Sequence, residues 1–134
     1  MKPGTILLVD DEEINRDIIG AFIRHTGRGV RLASGGAQAV VLAGAQRFDM
    51  ILMDIRMPAG ISGLEAARII RASPGPCQYG LILALTVIDT AEKRTACMAA
   101  GMDGSIVKPI SYEALSAALD QWSLGGHEPD EPAA

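Results

Sequence analysis

The sequence has few cysteines, few aromatic residues and no long apolar run. Its two cysteines, Cys77 and Cys97, lack the paired spacing of a metal site, so we expect reduced thiols that fill small apolar spaces in a cytoplasmic protein. Aromatic residues make up 4% of the chain, which predicts an aliphatic core. No apolar stretch approaches the roughly 18 residues that span a bilayer, and no signal-peptide pattern opens the chain. We therefore expect no membrane insertion.

The charge balance is slightly acidic. The formal net charge is −4 over 134 residues, which argues against the broad basic surface of a nucleic-acid binder. The 49% hydrophobic and 21% charged content is typical of one globular domain of this length. We assign residues 1–123 to that domain, and we interpret the polar, Pro- and Gly-rich residues 124–134 as a disordered tail or linker remnant.

Short apolar runs alternate with segments of helical period along the chain. Strands are expected at 5–9, 30–33, 50–53, 81–85 and 105–107, and a helix follows each of them. This alternation predicts an α/β fold that is doubly wound and flavodoxin-like, with a parallel five-stranded sheet in the order 2-1-3-4-5 and helices on both faces. Arg31 interrupts the second apolar run, so we place that strand at the sheet edge.

Reactive side chains stand at the ends of four of the five predicted strands. In chain order they are Asp10, Asp11, Asp54, Thr86 and Lys108. Because the carboxyl ends of parallel strands share one edge of the sheet, these groups should meet near the crevice where the strand order reverses. Each residue alone has an ordinary explanation as a turn residue, a helix cap or a surface lysine. Their joint occurrence at one edge favours a functional site.

The residue types in this set suit phosphoryl transfer. Three carboxylates in one crevice repel each other, so one must take a proton or a cation must bind. All-oxygen ligands suit Mg²⁺, and a carboxylate can then act as a nucleophile toward phosphorus. Phosphoryl transfer depends on matching spread negative charge, and the Lys108 ammonium and the Thr86 hydroxyl can each cover one phosphoryl oxygen.

Five motifs strengthen this interpretation. They are ILLVDDEEINRD, ILMDIRMP, ILALT, AAGMDG and VKPI, and they lie within a region of similarity that covers residues 5 to about 122. In this order and spacing, the chain resembles a response regulator receiver domain of two-component signalling. Asn15 and the run CMAAGMDGSIVKPI are most similar to the receivers of hybrid sensor histidine kinases.

The resemblance implies a signalling role. Asp54 would accept a phosphoryl group from a phosphohistidine on a histidine kinase or a histidine phosphotransfer protein, and Thr86 and Lys108 would serve as the switch and charge-pairing residues. The domain would assist its own phosphorylation and dephosphorylation without being an enzyme that turns over a substrate. It could be part of a hybrid histidine kinase.

The resemblance also implies a Mg²⁺ site. Asp11 would bind the metal directly, and Asp10 would act largely through metal-bound water. Asp54 and the backbone carbonyl of Arg56 would complete the protein ligands.

Two departures from the family pattern bear on output. Ser105 stands where the family usually has Tyr, Phe or His, so we expect a relay receiver, and a monomer, rather than one that dimerises through an aromatic switch face. The loop MPAGISG is one residue longer than the common form and flanks Asp54. We expect it to shape partner access or the lifetime of the phosphorylated state.

The first helix is the expected docking face for the partner. Ile14, Ile18 and Ile19 are the candidate contacts, although helical spacing predicts that at least two of the three are buried in the core.

Three other functions remain open at this point. An Mg²⁺-dependent phosphohydrolase on a related sheet would usually carry an Asp-x-Asp pattern, whereas Asp10 and Asp11 are adjacent here. A nucleotide or flavin binder is disfavoured because neither GxGxxG nor GxxxxGK[ST] occurs. A pure docking module would not need the intact set of acidic, hydroxyl and lysine groups.

Overall fold

Ten secondary-structure elements alternate along the chain, and the computed structural model describes residues 4–122. The strands are β1 (Thr5–Val9), β2 (Gly29–Ala33), β3 (Met50–Asp54), β4 (Ile82–Thr86) and β5 (Gly104–Val107). The helices are α1 (Glu13–His25), α2 (Gly36–Ala45), α3 (Gly63–Ala72), α4 (Ala91–Ala99) and α5 (Tyr112–Gln121). This is the predicted alternation: half of the predicted strand ends coincide with those of the structure, and the other half differ by one residue. The predicted tail at 124–134 lies outside the described residues.

The five strands form one parallel sheet in the order β2-β1-β3-β4-β5. The predicted fold class and strand order are therefore confirmed, including the edge position of β2. The strands end together: Val9 is aligned with Met53, Asp54 with Leu85, and Thr86 is aligned with Val107. This register brings the residues that follow the strands to one edge of the sheet.

The core lies on both faces of the sheet. Alternate residues of the central strands point to opposite sides, so β1 contributes Leu7 and Val9 to one hydrophobic cluster and Ile6 and Leu8 to the other. Helices α2, α3 and α4 cover the first cluster, and α1 and α5 cover the second. The expected aliphatic core is confirmed, since Phe48 is the one aromatic side chain in the buried set of the described region.

Both cysteines are buried and free. Cys77 and Cys97 pack in the cluster beneath α2, α3 and α4, as small apolar side chains do. Burial raises the pKa of the Cys97 thiol, against a smaller opposite effect of Lys93. The expectation that they fill apolar space is confirmed.

Helix α3 begins directly against the end of β3. Its N-cap Ser62 forms a capping box with Glu65: the Ser62 hydroxyl accepts a hydrogen bond from the Glu65 amide at 3.1 Å, and the Glu65 carboxylate accepts one from the Ser62 amide at 3.0 Å. The next residue, Gly63, lies so close to β3 that a Cβ atom there would stand 2.1 Å from the backbone oxygen of Asp54. Glycine is therefore required at position 63, because only a residue without a side chain lets the start of α3 pack directly against the backbone of Asp54.

Helix α1 corrects one expectation. Ile19 is buried, but the side chains of Ile14 and Ile18 are 72% and 48% exposed. The prediction that at least two of these three isoleucines are buried is wrong, because the face that packs on the sheet carries Ile19, Gly20 and Ile23 instead. Ile14 and Ile18 lie one turn apart on a face that is open to solvent.

The one tryptophan of the chain, Trp122, packs at the amino end of the sheet. Trp122 follows α5 and lies over the start of β5, where a Cβ atom on Gly104 would come 2.9 Å from the indole ring. This contact joins α5 to the amino end of β5, far from the strand ends that carry the reactive side chains. Within residues 4–122, none of the helices is long and apolar enough to cross a membrane.

Candidate functional site

The side chains at the carboxyl ends of the strands converge on a cleft of about 610 Å³. Its lining includes Asp11, Asp54, Arg56, Thr86 and Lys108. The remaining predicted residue, Asp10, lies beneath the cleft and is fully buried. The structure therefore places the whole predicted set at one edge of the sheet, as the strand order requires.

Three carboxylates form an acidic cluster in this cleft. One oxygen each from Asp10, Asp11 and Asp54 can be chosen so that all three lie within 4.8 Å of one another. Asp10 and Asp54 are buried while Asp11 is exposed, so the cluster has a closed side and an open side. Hard oxygen donors in such a group fit Mg²⁺, which is usually held by a few carboxylates and keeps several waters.

Asp10 is held at four points. One carboxylate oxygen, Oδ1, accepts a hydrogen bond from the Glu12 amide at 2.9 Å, and the other, Oδ2, lies 2.9 Å from Nζ of Lys108. The Asp10 amide donates to the carbonyl of Ala33 at 3.1 Å, and its own carbonyl accepts from Nη1 of Arg16 at 2.8 Å. A fully buried carboxylate needs such partners, because burying a charge without them is costly.

Lys108 links two of the carboxylates. Its Nζ atom lies 2.9 Å from Oδ2 of Asp10 and 3.3 Å from Oδ2 of Asp54, and its side chain is 14% exposed. Burial alone would lower the pKa of Lys108, but the hydrogen bonds and charges of Asp10 and Asp54 outweigh it and the pKa is raised. The ammonium therefore stays charged at neutral pH.

Asp54 has an upward-shifted pKa. Burial is the main cause and the charge of Asp10 adds to it, while Lys108 and the Arg56 amide act in the opposite direction. That amide donates to Oδ1 of Asp54 at 3.3 Å. One lysine thus does not fully compensate the buried carboxylates, so the cleft has a surplus of negative charge that favours binding of a cation.

The hydroxyl of Thr86 is engaged in the turn that follows β4. Oγ1 donates a hydrogen bond to the carbonyl of Ile88 at 2.8 Å and accepts one from the Ile88 amide at 3.1 Å. To bond a group on Asp54, the hydroxyl must exchange these contacts for new ones. Thr86 therefore connects the contents of the cleft to the conformation of the loop between β4 and α4.

Sequence reasoning missed Arg16 as part of the site. A usable signal was present: Arg16 lies three residues before Ile19 and seven before Ile23, both buried, so it belongs to the face of α1 that packs on the sheet. A cation on such a face needs a buried acceptor. The acceptor is the backbone carbonyl of Asp10, which no side-chain pattern reveals.

The mouth of the cleft combines apolar and charged side chains. Ile18 of α1, Ile88 of the loop after β4, and Pro109 lie on its walls together with Lys93 of α4. Ile18 and Ile88 are 48% and 46% exposed. A partner that reaches Asp54 would meet this partly apolar rim first.

The chain belongs to the response regulator receiver domain family, whose profile matches residues 6–120. It is 35% identical over 121 residues to the signal transduction histidine-protein kinase BarA of Escherichia coli K12, covering 90% of this chain and 13% of BarA. The chain spans less than half the length of the curated relatives TcrX, BvgS and BarA.

Solved structures agree with this assignment. The receiver domain of the sensor histidine kinase PA1611 from Pseudomonas aeruginosa, with a magnesium ion coordinated in its active-site cleft, is 38% identical with a TM-score of 0.80, covering 90% of this chain and 97% of that one. The receiver domain of Ssk1 from Saccharomyces cerevisiae was co-crystallised with the histidine phosphotransfer protein Ypd1. It is 28% identical to this chain with a TM-score of 0.80, and the alignment covers 90% of this chain and 89% of the Ssk1 domain. The chain is a phosphoacceptor receiver module of two-component or phosphorelay signalling, and the phosphohydrolase alternative gains no support.

Proposed function

We propose that Asp54 is the phosphoacceptor and that it takes its phosphoryl group from a phosphohistidine. The observation that carries this proposal is the ammonium of Lys108, which lies 3.3 Å from Oδ2 of Asp54 and 2.9 Å from Oδ2 of Asp10 at the floor of an open cleft. This arrangement places the Asp54 carboxylate in the lining of the cleft beside a fixed positive charge, which suits attack on a negatively charged phosphorus group.

The transfer uses groups that the cleft already contains. An Asp54 oxygen attacks phosphorus, the bond between phosphorus and the imidazole nitrogen of the donor breaks, and the electron pair leaves on that nitrogen. Lys108 then pairs with one oxygen of the new aspartyl phosphate. The hydroxyl of Thr86 bonds another oxygen once it releases Ile88, so the loop after β4 responds to phosphorylation.

The acidic cluster would hold Mg²⁺. Asp11, Asp54 and the backbone carbonyl of Arg56 would be its protein ligands, with Asp10 acting through metal-bound water. When bound, the metal would supply positive charge for the phosphoryl oxygens and relieve the repulsion among the carboxylates. The three oxygens within 4.8 Å of one another support this assignment.

The proposed partner is a histidine kinase or a histidine phosphotransfer protein, in the cytoplasm. The exposed Ile14 and Ile18 on α1 and the apolar rim of the cleft provide a surface for a histidine-bearing helix. Ser105, a half-buried residue of β5, favours relay over output through an aromatic switch. We propose that the receiver domain comprises residues 1–123 and acts as a monomer.

Labelling with a small acyl phosphate and Mg²⁺ tests the acceptor. Intact-mass measurement should show the addition of one phosphate to the wild-type protein and none to Asp54→Ala. Asp120→Ala, which removes an exposed carboxylate of α5, should be labelled like the wild type and serves as the control.

Labelling of Asp54→Ala to the wild-type extent would refute the assignment of Asp54. Multiple turnover of a phosphate ester by the wild-type protein would instead favour a phosphohydrolase.

A further inference from the structure

We propose that Arg16 is a positioning residue of the acidic cluster, which holds the peptide unit between Asp10 and Asp11 in the orientation that a divalent cation requires. The proposal rests on the metal site of the proposed function. It goes beyond that function because it assigns part of the cation affinity to a side chain that is not itself a ligand.

The contact that carries the proposal is a hydrogen bond to the backbone. Nη1 of Arg16 donates to the carbonyl oxygen of Asp10 at 2.8 Å. Arg16 is half-buried at the end of the first turn of α1, one turn before the buried Ile19 and Gly20. Since α1 is packed on the sheet through this face, the guanidinium is anchored by a rigid element.

Fixing this carbonyl orients the following residue as well. A peptide unit is planar, so the direction of the Asp10 carbonyl also sets the direction of the Asp11 amide and influences where the Asp11 side chain points. The two residues differ in their other restraints. The Asp10 side chain has Glu12 and Lys108 as partners. The exposed Asp11 side chain forms no hydrogen bond or ion pair with any other residue in the described range 4–122.

Asp11 therefore depends on its backbone for orientation more than Asp10 does. Residues that orient metal ligands typically contribute about 10- to 100-fold in metal affinity. Loss of the Arg16 bond would free the peptide unit to rotate, and the carboxylate on the open side of the cluster would lose its fixed direction. The expected consequence is weaker cation binding.

The direction in which Arg16→Met changes the Mg²⁺ affinity distinguishes a positioning role of Arg16 from an effect of its positive charge alone. Removing a cation from the neighbourhood of three carboxylates makes the local potential more negative, and on that basis alone Arg16→Met would bind Mg²⁺ more tightly. Positioning predicts the opposite. A purely structural role for Arg16 predicts a third result, namely lower stability with unchanged affinity for Mg²⁺.

Isothermal titration calorimetry with Mg²⁺ on the complete chain decides among these results, with thermal melts without metal recorded in parallel. We expect the dissociation constant of Arg16→Met to rise about tenfold or more. Arg16→Lys, which keeps the charge and a donor, should recover part of the loss. Arg24→Met removes the same charge from an exposed position of the same helix and should stay within about twofold of the wild type.

An unchanged or lower dissociation constant in Arg16→Met would overturn the proposal, whatever its melting temperature, and so would an equal rise in Arg24→Met. If Arg16→Met does not fold, Arg16→Gln is judged by the same criterion. Absence of Mg²⁺ binding by the wild-type protein would instead refute the metal site of the proposed function together with this proposal. Binding by the wild type that Arg16→Met retains refutes the positioning role alone.

Discussion

At the scale of single residues, the site is defined by an incomplete charge balance. Lys108 contacts both Asp10 and Asp54, yet burial and the charge of Asp10 still raise the pKa of Asp54. A raised carboxyl pKa means that the charged form is less favourable in the folded protein than in the unfolded chain. The acceptor carboxylate is thus held at a cost to stability, as expected for a group kept ready for a cation and a phosphoryl group.

Asp54→Asn should therefore stabilise the protein in the absence of divalent cations. We expect a gain of about 1 kcal/mol in the free energy of unfolding at neutral pH, because the amide keeps the shape of the side chain and removes the unfavourable charge. In the wild-type protein, the destabilisation by the Asp54 charge is absent at a pH below the unfolded pKa of about 3.9 and grows as the pH rises toward and through the higher folded pKa. The stability gained by Asp54→Asn should therefore also increase with pH.

Urea unfolding in a chelating buffer, repeated at several pH values, measures this gain. Asp120→Asn, at an exposed position of α5, is the control. A loss of stability in Asp54→Asn at neutral pH would contradict the interpretation.

Lys108→Met should destabilise the metal-free protein. The change leaves Asp10 and Asp54 without their shared cation, and breaking a buried pair on one side costs about 3–5 kcal/mol. The raised pKa of Lys108 means that this contribution is complete below the unfolded pKa of about 10.4 and is lost only as the pH rises through the folded value. The loss should therefore be fully visible at neutral pH.

Denaturant unfolding at neutral pH provides the measurement, with Lys93→Met at the cleft rim as the matched control. The double variant Lys108→Met, Asp54→Asn should recover part of the loss, because one uncompensated charge is then removed. A double variant less stable than Lys108→Met would show that the two residues are not coupled in this way.

At the scale of the elements, α1 has two faces with different tasks. The inner face carries Ile19 and Ile23 into the core and brings Arg16 to the Asp10 carbonyl. The outer face presents Ile14 and Ile18 to solvent, and Ile18 also lines the cleft. One helix therefore joins the proposed partner surface to the acidic cluster.

Ile14→Ser should slow phosphotransfer from a histidine phosphotransfer protein while leaving labelling by a small acyl phosphate unchanged. If Ile14 is one of the minority of interface residues whose truncation costs more than about 1 kcal/mol, the second-order rate constant falls at least about fivefold. The matched control is Val41→Ser, which truncates an apolar side chain of α2 that is 68% exposed, against 72% for Ile14. Equal losses in both variants, or none in Ile14→Ser, would remove α1 from the docking surface.

The sequence predicted the elements and the placement of the reactive side chains better than it predicted their contacts. Apolar runs that end beside Asp54 and Thr86 located the ends of β3 and β4 to within one residue, because an unbroken apolar run of this length is typical of a strand buried on both faces. Helical spacing places Arg16 on the inner face of α1, but it does not reveal the bond to the Asp10 carbonyl. The bonds between Thr86 and Ile88 likewise involve backbone atoms, which leave no pattern of residue types. The two exposed isoleucines of α1 were misjudged because apolar spacing alone does not say which stripe of a helix meets the sheet.

At the scale of the whole molecule, the strand order is what assembles the site. Because β1 lies beside β3 and β3 beside β4, residues separated by about a quarter to a third of the chain become neighbours. The alternation of elements predicted this order. The same alternation could not predict how much of the negative charge of Asp10 and Asp54 is balanced by Lys108, because that depends on burial and on the distances between the charged atoms.

Mg²⁺ should stabilise the whole fold by mass action. Above the dissociation constant, each tenfold increase in Mg²⁺ should add about 1.4 kcal/mol to the free energy of unfolding if the metal binds only the folded state. Thermal melts across a Mg²⁺ series at constant ionic strength test this. Asp11→Asn should reduce the response, and a wild-type response no larger than that to NaCl of matched ionic strength would argue against the metal site.

The indole ring of Trp122, which packs against Gly104 at the start of β5, is an intrinsic fluorescent probe. It is the chain's one tryptophan, and it sits at the far rim of the sheet from the cleft, so its emission reports whether α5 remains docked. A cation or phosphoryl group in the cleft cannot touch this fluorophore. Any spectral change that accompanies loading of the cleft would therefore have crossed the sheet, which makes emission a direct measure of long-range communication within the domain.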